Sequence, residues 1–171
     1  MVSRAGETFY NYGLDSLRNN QAAGYPNLHL GRVVSQEKGY YRIICEGEEI
    51  VAEVSGKMRF QANRASDYPA VGDFVMLDRH HDSNGHAIIH HILPRTGLFR
   101  RKSVGGQIDE QVVAANIDIV FICMSLNRDF NLRRMERYLG IAWDSGAVPV
   151  IVLTKADLCD DLAGKLTELG S

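Results

Sequence analysis

The stretch Val148-Pro149-Val150-Ile151-Val152-Leu153-Thr154-Lys155-Ala156-Asp157 decides the fold of this chain. Its first six residues form a short, continuous and largely β-branched apolar run, which predicts a buried strand of a parallel sheet. A polar turn with a Lys and an Asp two residues apart follows at once, and a helical pattern begins at Asp160. We therefore expect Lys155 and Asp157 on the loop at the carboxyl end of a parallel strand, where open α/β sheets bind ligands.

The side chains of this loop suit one base. A carboxylate can accept two parallel hydrogen bonds from a guanine edge, one from the ring N–H and one from the exocyclic amine, and a Lys stem can cover the face of the base. Adenine has no matching pair of donors, and sites of this kind can discriminate by ~10⁴-fold or more. The four residues from Thr154 to Asp157 resemble the Asn-Lys-x-Asp motif of GTP-binding proteins, with Thr in the place of Asn. A polar Lys-x-Asp turn after a strand is common, so the rest of the chain has to show whether this motif indicates GTP binding.

A second strand and a helix precede this stretch. Residues 117–124 form an apolar run with one charge, and Asn131 is placed to cap a helix whose apolar residues recur at helical spacing. Gly146 is expected to end that helix in the left-handed conformation. Strand, helix and strand with short links predict a βαβ unit with parallel strands. A further helix is predicted at residues 160–169, and the α/β part looks incomplete because a parallel sheet needs cover on both faces.

The first half of the chain has a different pattern. Short β-rich runs separated by turn residues predict a small barrel or sandwich. These runs are residues 31–35, 40–45, 50–54, 74–77 and 87–93. The long connection at 57–70 favours a five-stranded OB-fold, a Greek-key barrel that often binds nucleic acid, over an SH3-like barrel. The predicted fold class is thus β plus α/β. Its parts are an N-terminal extension (1–29), an OB domain (30–94), a basic connector without regular structure (95–115) and a partial α/β domain (116–171).

Composition excludes several classes of protein. The 171 residues are 45% hydrophobic and 23% charged, with a net charge of −2, so no overall basic field favours nucleic acid. Cys45, Cys123 and Cys159 are far apart and predict reduced thiols of a cytoplasmic protein, not a disulfide framework or a zinc site. No apolar run approaches the roughly 18 residues of a membrane span, and we expect no membrane partner.

Basic residues are concentrated locally. Two groups are candidate contacts for RNA phosphates, one in the connector and one in the long barrel connection. They are Arg95, Arg100, Arg101 and Lys102, and Lys57 and Arg59. A charge run is more often a solvated face, so for the connector the two interpretations weigh about equally. Tyr40 and Tyr41 alternate along a predicted strand, so only one of them can be exposed for base stacking.

Histidines cluster around the last barrel turn. They are His80, His81, His86, His90 and His91. Adjacent residues of a strand point to opposite faces, and no finger-type spacing of Cys and His is present. We therefore predict an incidental surface cluster and no metal site.

The order of the parts resembles one family. The predicted barrel is followed by Arg101-Lys102, by residues 110–118 (Glu-Gln-Val-Val-Ala-Ala-Asn-Ile-Asp), by Arg137-Tyr138-Leu139 and by the Thr-Lys-x-Asp stretch. From about Gly31 to its end, the chain resembles the circularly permuted GTPases of the ribosome small-subunit-dependent GTPase A family. In these proteins the base-recognition motif precedes the phosphate-binding loop.

The resemblance implies a function. It implies a factor that binds and hydrolyses GTP in late maturation of the small ribosomal subunit, with an OB domain that binds 16S-type rRNA. It assigns Asp157 to the guanine edge, Lys155 to the face of the base and Thr154 to the Asn position.

The resemblance also shows what to expect beyond this sequence. No G-x-x-x-x-G-K-S/T occurs, and we expect neither a phosphate loop nor a γ-phosphate switch here. We therefore predict that the 171-residue chain does not itself hydrolyse GTP. The Mg²⁺ and structural Zn²⁺ of the family are expected only in a missing C-terminal part. The alternative functions are a stand-alone OB-type RNA-binding module and a protein-binding module, both without nucleotide chemistry.

Overall fold

The computed structural model describes residues 12–81, 85–102 and 110–170. The chain divides into two compact units, one up to Asn116 and one from Ile117. Within these described residues, the first unit contains two short helices, a 3-10 turn at Ala65–Asp67 and seven strands. They are α1 (Ser16–Ala22), β1 (His29–Glu37), β2 (Tyr40–Cys45), β3 (Glu48–Val54), α2 (Gly56–Gln61), β4 (Phe74–Leu77), β5 (Ala87–Ile92), β6 (Leu98–Lys102) and β7 (Glu110–Ala115).

Five of these strands form a closed barrel in the order β1-β2-β3-β5-β4, with β4 pairing back to β1. All pairs are antiparallel except β3 with β5. This confirms the predicted five-stranded OB-type barrel, with α2 in the long connection between β3 and β4. The barrel core includes Val33, Ile43 and Leu77. Tyr41 is buried and Tyr40 is 45% exposed, as the alternation along β2 predicts.

The segment predicted as a connector without regular structure forms a hairpin. Strands β6 and β7 pair antiparallel from Leu98↔Ala115 to Lys102↔Glu110. The prediction of an irregular loop was wrong, because a run of charged residues is not evidence against a strand in a two-stranded hairpin. The hairpin is joined to the barrel, since the Ala115 N–H donates to the Val71 carbonyl at 2.8 Å. Gly72, with φ of +89°, allows this approach, because a Cβ there would collide with the Ala115 carbonyl.

Asn116 fixes the end of the hairpin. Its backbone has φ of +53°, a conformation that Asn tolerates better than most residues. Its side-chain Oδ1 accepts from the Thr96 N–H at 2.9 Å, and its Nδ2 donates to the Gly72 carbonyl at 3.1 Å. Arg32 donates to the Asn116 carbonyl at 3.1 Å. Asn116 thus ties the end of strand β7 to three other segments of the first unit, at Arg32, Gly72 and Thr96.

The second unit is the predicted βαβ arrangement. It consists of β8 (Ile119–Ser125), α3 (Leu132–Asp144), β9 (Val148–Thr154), a 3-10 turn (Ala156–Leu158) and α4 (Leu162–Gly170). Strands β8 and β9 are parallel, in register from Ile119↔Val148 to Ser125↔Thr154. Asn131 caps α3 by accepting from the Arg134 N–H at 2.9 Å, and Gly146 follows the helix with φ of +80°. Both capping predictions are confirmed.

The burial predicted for β9 was wrong. The core of this unit lies on one face of the two strands, where Ile122 and Met124 pack against Met135 of α3. On the opposite face, Phe121 is 66% and Val148 62% exposed. A continuous apolar run is typical of a strand covered on both faces, whereas the described elements of this unit cover only one. Among the described residues, no helix is long and apolar enough to cross a membrane.

Candidate guanine-recognition site

The Thr-Lys-x-Asp stretch lies where the two parallel strands end. Thr154 is the last residue of β9 and stands beside Ser125, the last residue of β8. The Thr154 hydroxyl lies 3.5 Å from the Met124 carbonyl oxygen, at the outer limit of a hydrogen bond, and the Leu126 N–H donates to the Thr154 carbonyl at 2.9 Å. The end of β9 is therefore held against the end of β8 through both the side chain and the backbone of Thr154.

Lys155 has a left-handed backbone, with φ of 57° and ψ of 39°. A residue other than glycine in this region costs roughly 1–3 kcal/mol, and such strain is concentrated at functional sites. The left-handed step ends β9 and starts the 3-10 turn at Ala156–Leu158, which is closed by the Leu158 N–H donating to the Lys155 carbonyl at 3.1 Å. Lys155 and Asp157 are both exposed. Within the described part of the chain, the Asp157 carboxylate has no hydrogen-bond partner, so both oxygens can accept from a ligand.

The loop after β8 provides the second wall of the site. Arg134 of α3 donates to the Asp129 carboxylate at 3.1 Å (Nη1) and 2.9 Å (Nη2), and also to the Asp129 carbonyl at 2.7 Å. The hydrogen bond from Arg134 and then its charge hold the pKa of Asp129 below its usual value, and the Lys155 ammonium contributes to the same shift. These hydrogen bonds hold the loop after β8 in place close to Lys155. No sequence pattern singles out this pair.

Helix α4 is attached to the same loop. The Lys165 ammonium donates to the Leu126 carbonyl at 3.0 Å and lies 4.6 Å from the centre of the Phe130 ring. Asp161 and Gly164 have the spacing of an Asp-x-x-Gly switch, but here Asp161 Oδ1 accepts from the Gly164 N–H at 2.9 Å in the first turn of α4. These residues therefore cap the start of a helix.

The candidate RNA-binding residues are in different environments. Arg95 has a structural role: its Nε and Nη2 donate to the fully buried Asp73 carboxylate at 2.8 and 2.6 Å. Its Nη1 and Nη2 also donate to the carbonyls of Ser66 and Tyr68, both at 2.8 Å. Four of its contacts are thus inside the first unit, and we remove Arg95 from the candidate phosphate contacts.

The other candidates lie in two places. Arg100 is exposed on β6, and the side chains of Arg101 and Lys102 lie outside the described residues. Lys57 and Arg59 are exposed on α2. Directly after Arg59 is a residue whose exposure no sequence pattern predicted: Phe60 is 91% exposed, the largest exposure of any large apolar side chain described. Its only sequence signal is the Lys-Met-Arg-Phe order, which mixes basic and aromatic residues.

Comparison with known proteins gives the family. The family model described as RsgA GTPase matches residues 92–170. The small ribosomal subunit biogenesis GTPase RsgA 2 of Lactiplantibacillus plantarum is 53% identical over 137 residues, which are 80% of this chain and 38% of that protein. The chain belongs to the RsgA GTPase family.

Further comparisons extend the match. The RsgA 2 protein of Listeria monocytogenes is 41% identical over 162 residues, covering 95% of this chain and 44% of that protein. The crystal structure of YjeQ from Thermotoga maritima matches with a TM-score of 0.61 and 25% identity, over 83% of this chain and 47% of that one. That of YloQ, a circularly permuted GTPase, matches with a TM-score of 0.56 and 22% identity. The RsgA-family chain described here spans about two fifths of the length of its curated relatives.

Proposed function

We propose that this chain provides the guanine-recognition motif and the RNA-binding barrel of a GTP-hydrolysing factor for biogenesis of the small ribosomal subunit. Its relatives are named for that role. The observation that carries the proposal is the Asp157 carboxylate, exposed and without a partner in the described chain, on a left-handed turn at the end of a parallel strand. The ligands would be GTP and GDP, and the factor would act in the cytoplasm on the small subunit and its 16S-type rRNA.

The proposed contacts follow from the geometry. The two oxygens of Asp157 accept from the ring N–H and the exocyclic amine of guanine, and the Lys155 stem covers the base. The Thr154 hydroxyl is already near the Met124 carbonyl, which suits a residue that holds the two strand ends together rather than one that contacts the base.

A base-exchange experiment tests this proposal. Asn in place of Asp157 keeps one acceptor and adds one donor, which matches xanthine, whose C2 carries a carbonyl group in place of the amine. Amide chemical shifts would be followed by NMR while GMP, AMP or XMP is added to the 171-residue chain and to Asp157→Asn. We expect GMP, and not AMP, to shift the signals of residues 154–159, and Asp157→Asn to exchange GMP for XMP.

The matched control is Asp160→Asn, which removes an exposed carboxylate three residues further on and should keep the preference for GMP. Equal shifts with GMP and AMP, or an unchanged preference in Asp157→Asn, would refute base recognition by this loop.

We expect no GTP turnover by this chain, because phosphoryl transfer needs a phosphate cradle and its sequence contains no G-x-x-x-x-G-K-S/T. The comparison is between the purified 171-residue chain and Asp157→Ala. Turnover above that of the variant would show that the expectation is wrong.

The RNA contact that we propose centres on α2. Lys57 and Arg59 directly precede Phe60 in this short helix. The Lys57 charge lies close enough to His91 of β5 to contribute, after burial and His90, to a lowered pKa of His91. Proteins that bind single strands without sequence preference combine exposed aromatic rings with nearby cations. The rings stack on bases and the cations attract phosphates. Arg100, Arg101 and Lys102 remain additional candidates.

Two substitutions separate stacking from charge. Phe60→Ala should weaken binding of a single-stranded rRNA fragment by the ~1–3 kcal/mol of one stacked base, with the salt dependence unchanged. Lys57→Ala with Arg59→Ala should lower the slope of log K against log salt by about 0.7 per lost phosphate contact. Arg133→Ala, an exposed cation on α3, is the control. If neither variant differs from this control, α2 does not bind RNA. The triple variant of residues 100–102 tests the hairpin in the same way.

A further inference from the structure

Three segments at one end of the barrel bring His29, Glu46 and His80 together. His29 is the first residue of β1 and pairs with Leu77, the last residue of β4. Glu46 lies in the tight turn between β2 and β3, with φ of 50°. His80 follows β4 by three residues. Barrel closure through the β1–β4 pair is therefore what makes positions 29 and 80 neighbours.

The ligand-type atoms of these residues are close. His29 Nδ1 lies 2.9 Å from Glu46 Oε1, and the ring centres of His29 and His80 are 4.6 Å apart. One nitrogen or oxygen from each of the three residues lies within 4.8 Å of the other two. His81 adds a further ring 4.9 Å from that of His80.

A second, independent observation indicates that His80 binds a ligand. Its Nδ1 is buried and has no hydrogen-bond partner among the described residues. A buried polar atom of this kind is costly unless something binds it. The nitrogen belongs to the same cluster whose other two members already face each other, so a ligand shared by all three would satisfy it.

We propose that His29, Glu46 and His80 bind a divalent transition-metal ion, and that Zn²⁺ is the ion that best suits this donor set. Two imidazoles and one carboxylate are typical of Zn²⁺ sites with an open fourth position, whereas Mg²⁺ and Ca²⁺ prefer oxygen ligands. Ligands about 2.0–2.1 Å from a tetrahedral ion are roughly 3.4 Å apart, so side-chain rotation must close the present separations. All three side chains are partly exposed and can rotate. The bound ion would link β1, the β2–β3 turn and the segment after β4.

The sequence predicts no metal site, because the histidines around the last barrel turn lack the spacing of metal ligands. Of these, His80 belongs to the cluster, but its two partners lie 51 and 34 positions earlier in the sequence, and only the closed barrel brings them near.

Titration with Co²⁺ tests the site, because its visible absorption reports the number and type of ligands. The 171-residue chain should bind one equivalent and release it to Zn²⁺. His29→Ala or His80→Ala should each weaken binding by about a hundredfold or more. Glu46→Gln removes the charged ligand and keeps a side chain of similar size, so it tests the carboxylate with little change to the turn. Backbone amide spectra of each variant check that the barrel is folded.

The matched control is His86→Ala. His86 Nδ1 also faces a carboxylate, Glu53, at 3.3 Å, but it belongs to no three-residue cluster in the described part of the chain. Binding in this variant should equal that of the unchanged chain. Three results would overturn the proposal: no binding at millimolar Zn²⁺, binding unaffected by His80→Ala, or an equal loss in His86→Ala. The last would mean adventitious binding by surface histidines.

Discussion

Replacing Arg95 with Met should destabilise the first unit by about 3–5 kcal/mol, the usual cost of removing one partner of a buried ion pair. The Asp73 carboxylate is fully buried, and the change removes both of its bonds to the guanidinium. Among the described residues, the Ala70 N–H, at 2.8 Å, would be the one hydrogen-bond donor left to it. The Ser66 and Tyr68 carbonyls would also lose their donor. Two hydrogen bonds to a charged group, at roughly 1.5–3 kcal/mol each, give the same magnitude.

The measurement is urea unfolding followed by the amide signals of β1–β5, since the second unit can unfold separately. The matched control is Arg42→Met. Arg42 also binds a carboxylate, Glu49, at 2.7 Å, but both side chains are about half exposed, and exposed pairs contribute about 0–1 kcal/mol.

The double variant Asp73→Leu with Arg95→Met completes the test. It removes both charges, so it should recover much of the loss seen in Arg95→Met alone. If Arg95→Met costs no more than Arg42→Met, then the buried pair is not a main stabilising contact and this interpretation fails.

Three further predictions concern other parts of the chain. Asn116→Ala should destabilise the first unit by about 2–4 kcal/mol, because it leaves the Gly72 carbonyl without its donor and adds backbone strain. Asn116→Gly should relieve only the strain. Urea unfolding measures the free energy of unfolding of both variants. Burial raises the pKa of Cys45 from 9.0 to about 12, so the folded state keeps its proton where the unfolded state loses it, and stability should fall from about pH 9 upwards. In Cys45→Ala that alkaline loss should be smaller, and iodoacetamide at pH 8 should label the exposed Cys123 first. Lys165→Met should increase amide hydrogen exchange in the loop after β8, because it removes the bond to the Leu126 carbonyl.

Local patterns predicted most of the secondary structure. The apolar runs and turn residues gave all five barrel strands, and the Asn131 cap and Gly146 gave both ends of α3. The hairpin of β6 and β7 was missed, because β6 carries three consecutive cations and neither strand alternates between apolar and polar residues. The pairing of β3 with β5 could be expected only from the fold type, because a parallel pair is made by the closure of the barrel and not by any local signal.

The candidate sites divide in the same way. The Thr-Lys-x-Asp loop was predictable, because four consecutive residues carry its chemistry and the strand before them fixes its position. The cluster of His29, Glu46 and His80 was not, because each residue comes from a different segment. The Asp129–Arg134 pair lies between these cases, since it spans five residues but depends on the cap at Asn131 to position Arg134.

The role of a charged residue in this chain becomes clear only when the residues that it contacts are known. Arg95 and Arg100 lie five residues apart and look alike in the sequence, but Arg95 contacts a carboxylate 22 positions earlier that is inaccessible to solvent. An RNA phosphate could bind Arg95 only by breaking that pair and leaving a buried charge, at a cost greater than one phosphate contact returns. Among the described residues, Lys57 and Arg59 form no such buried pair, and they precede the Phe60 ring, which is 91% exposed. The barrel surface at α2 is therefore the first place to test for an RNA contact, and residues 100–102 of the connector remain a prediction.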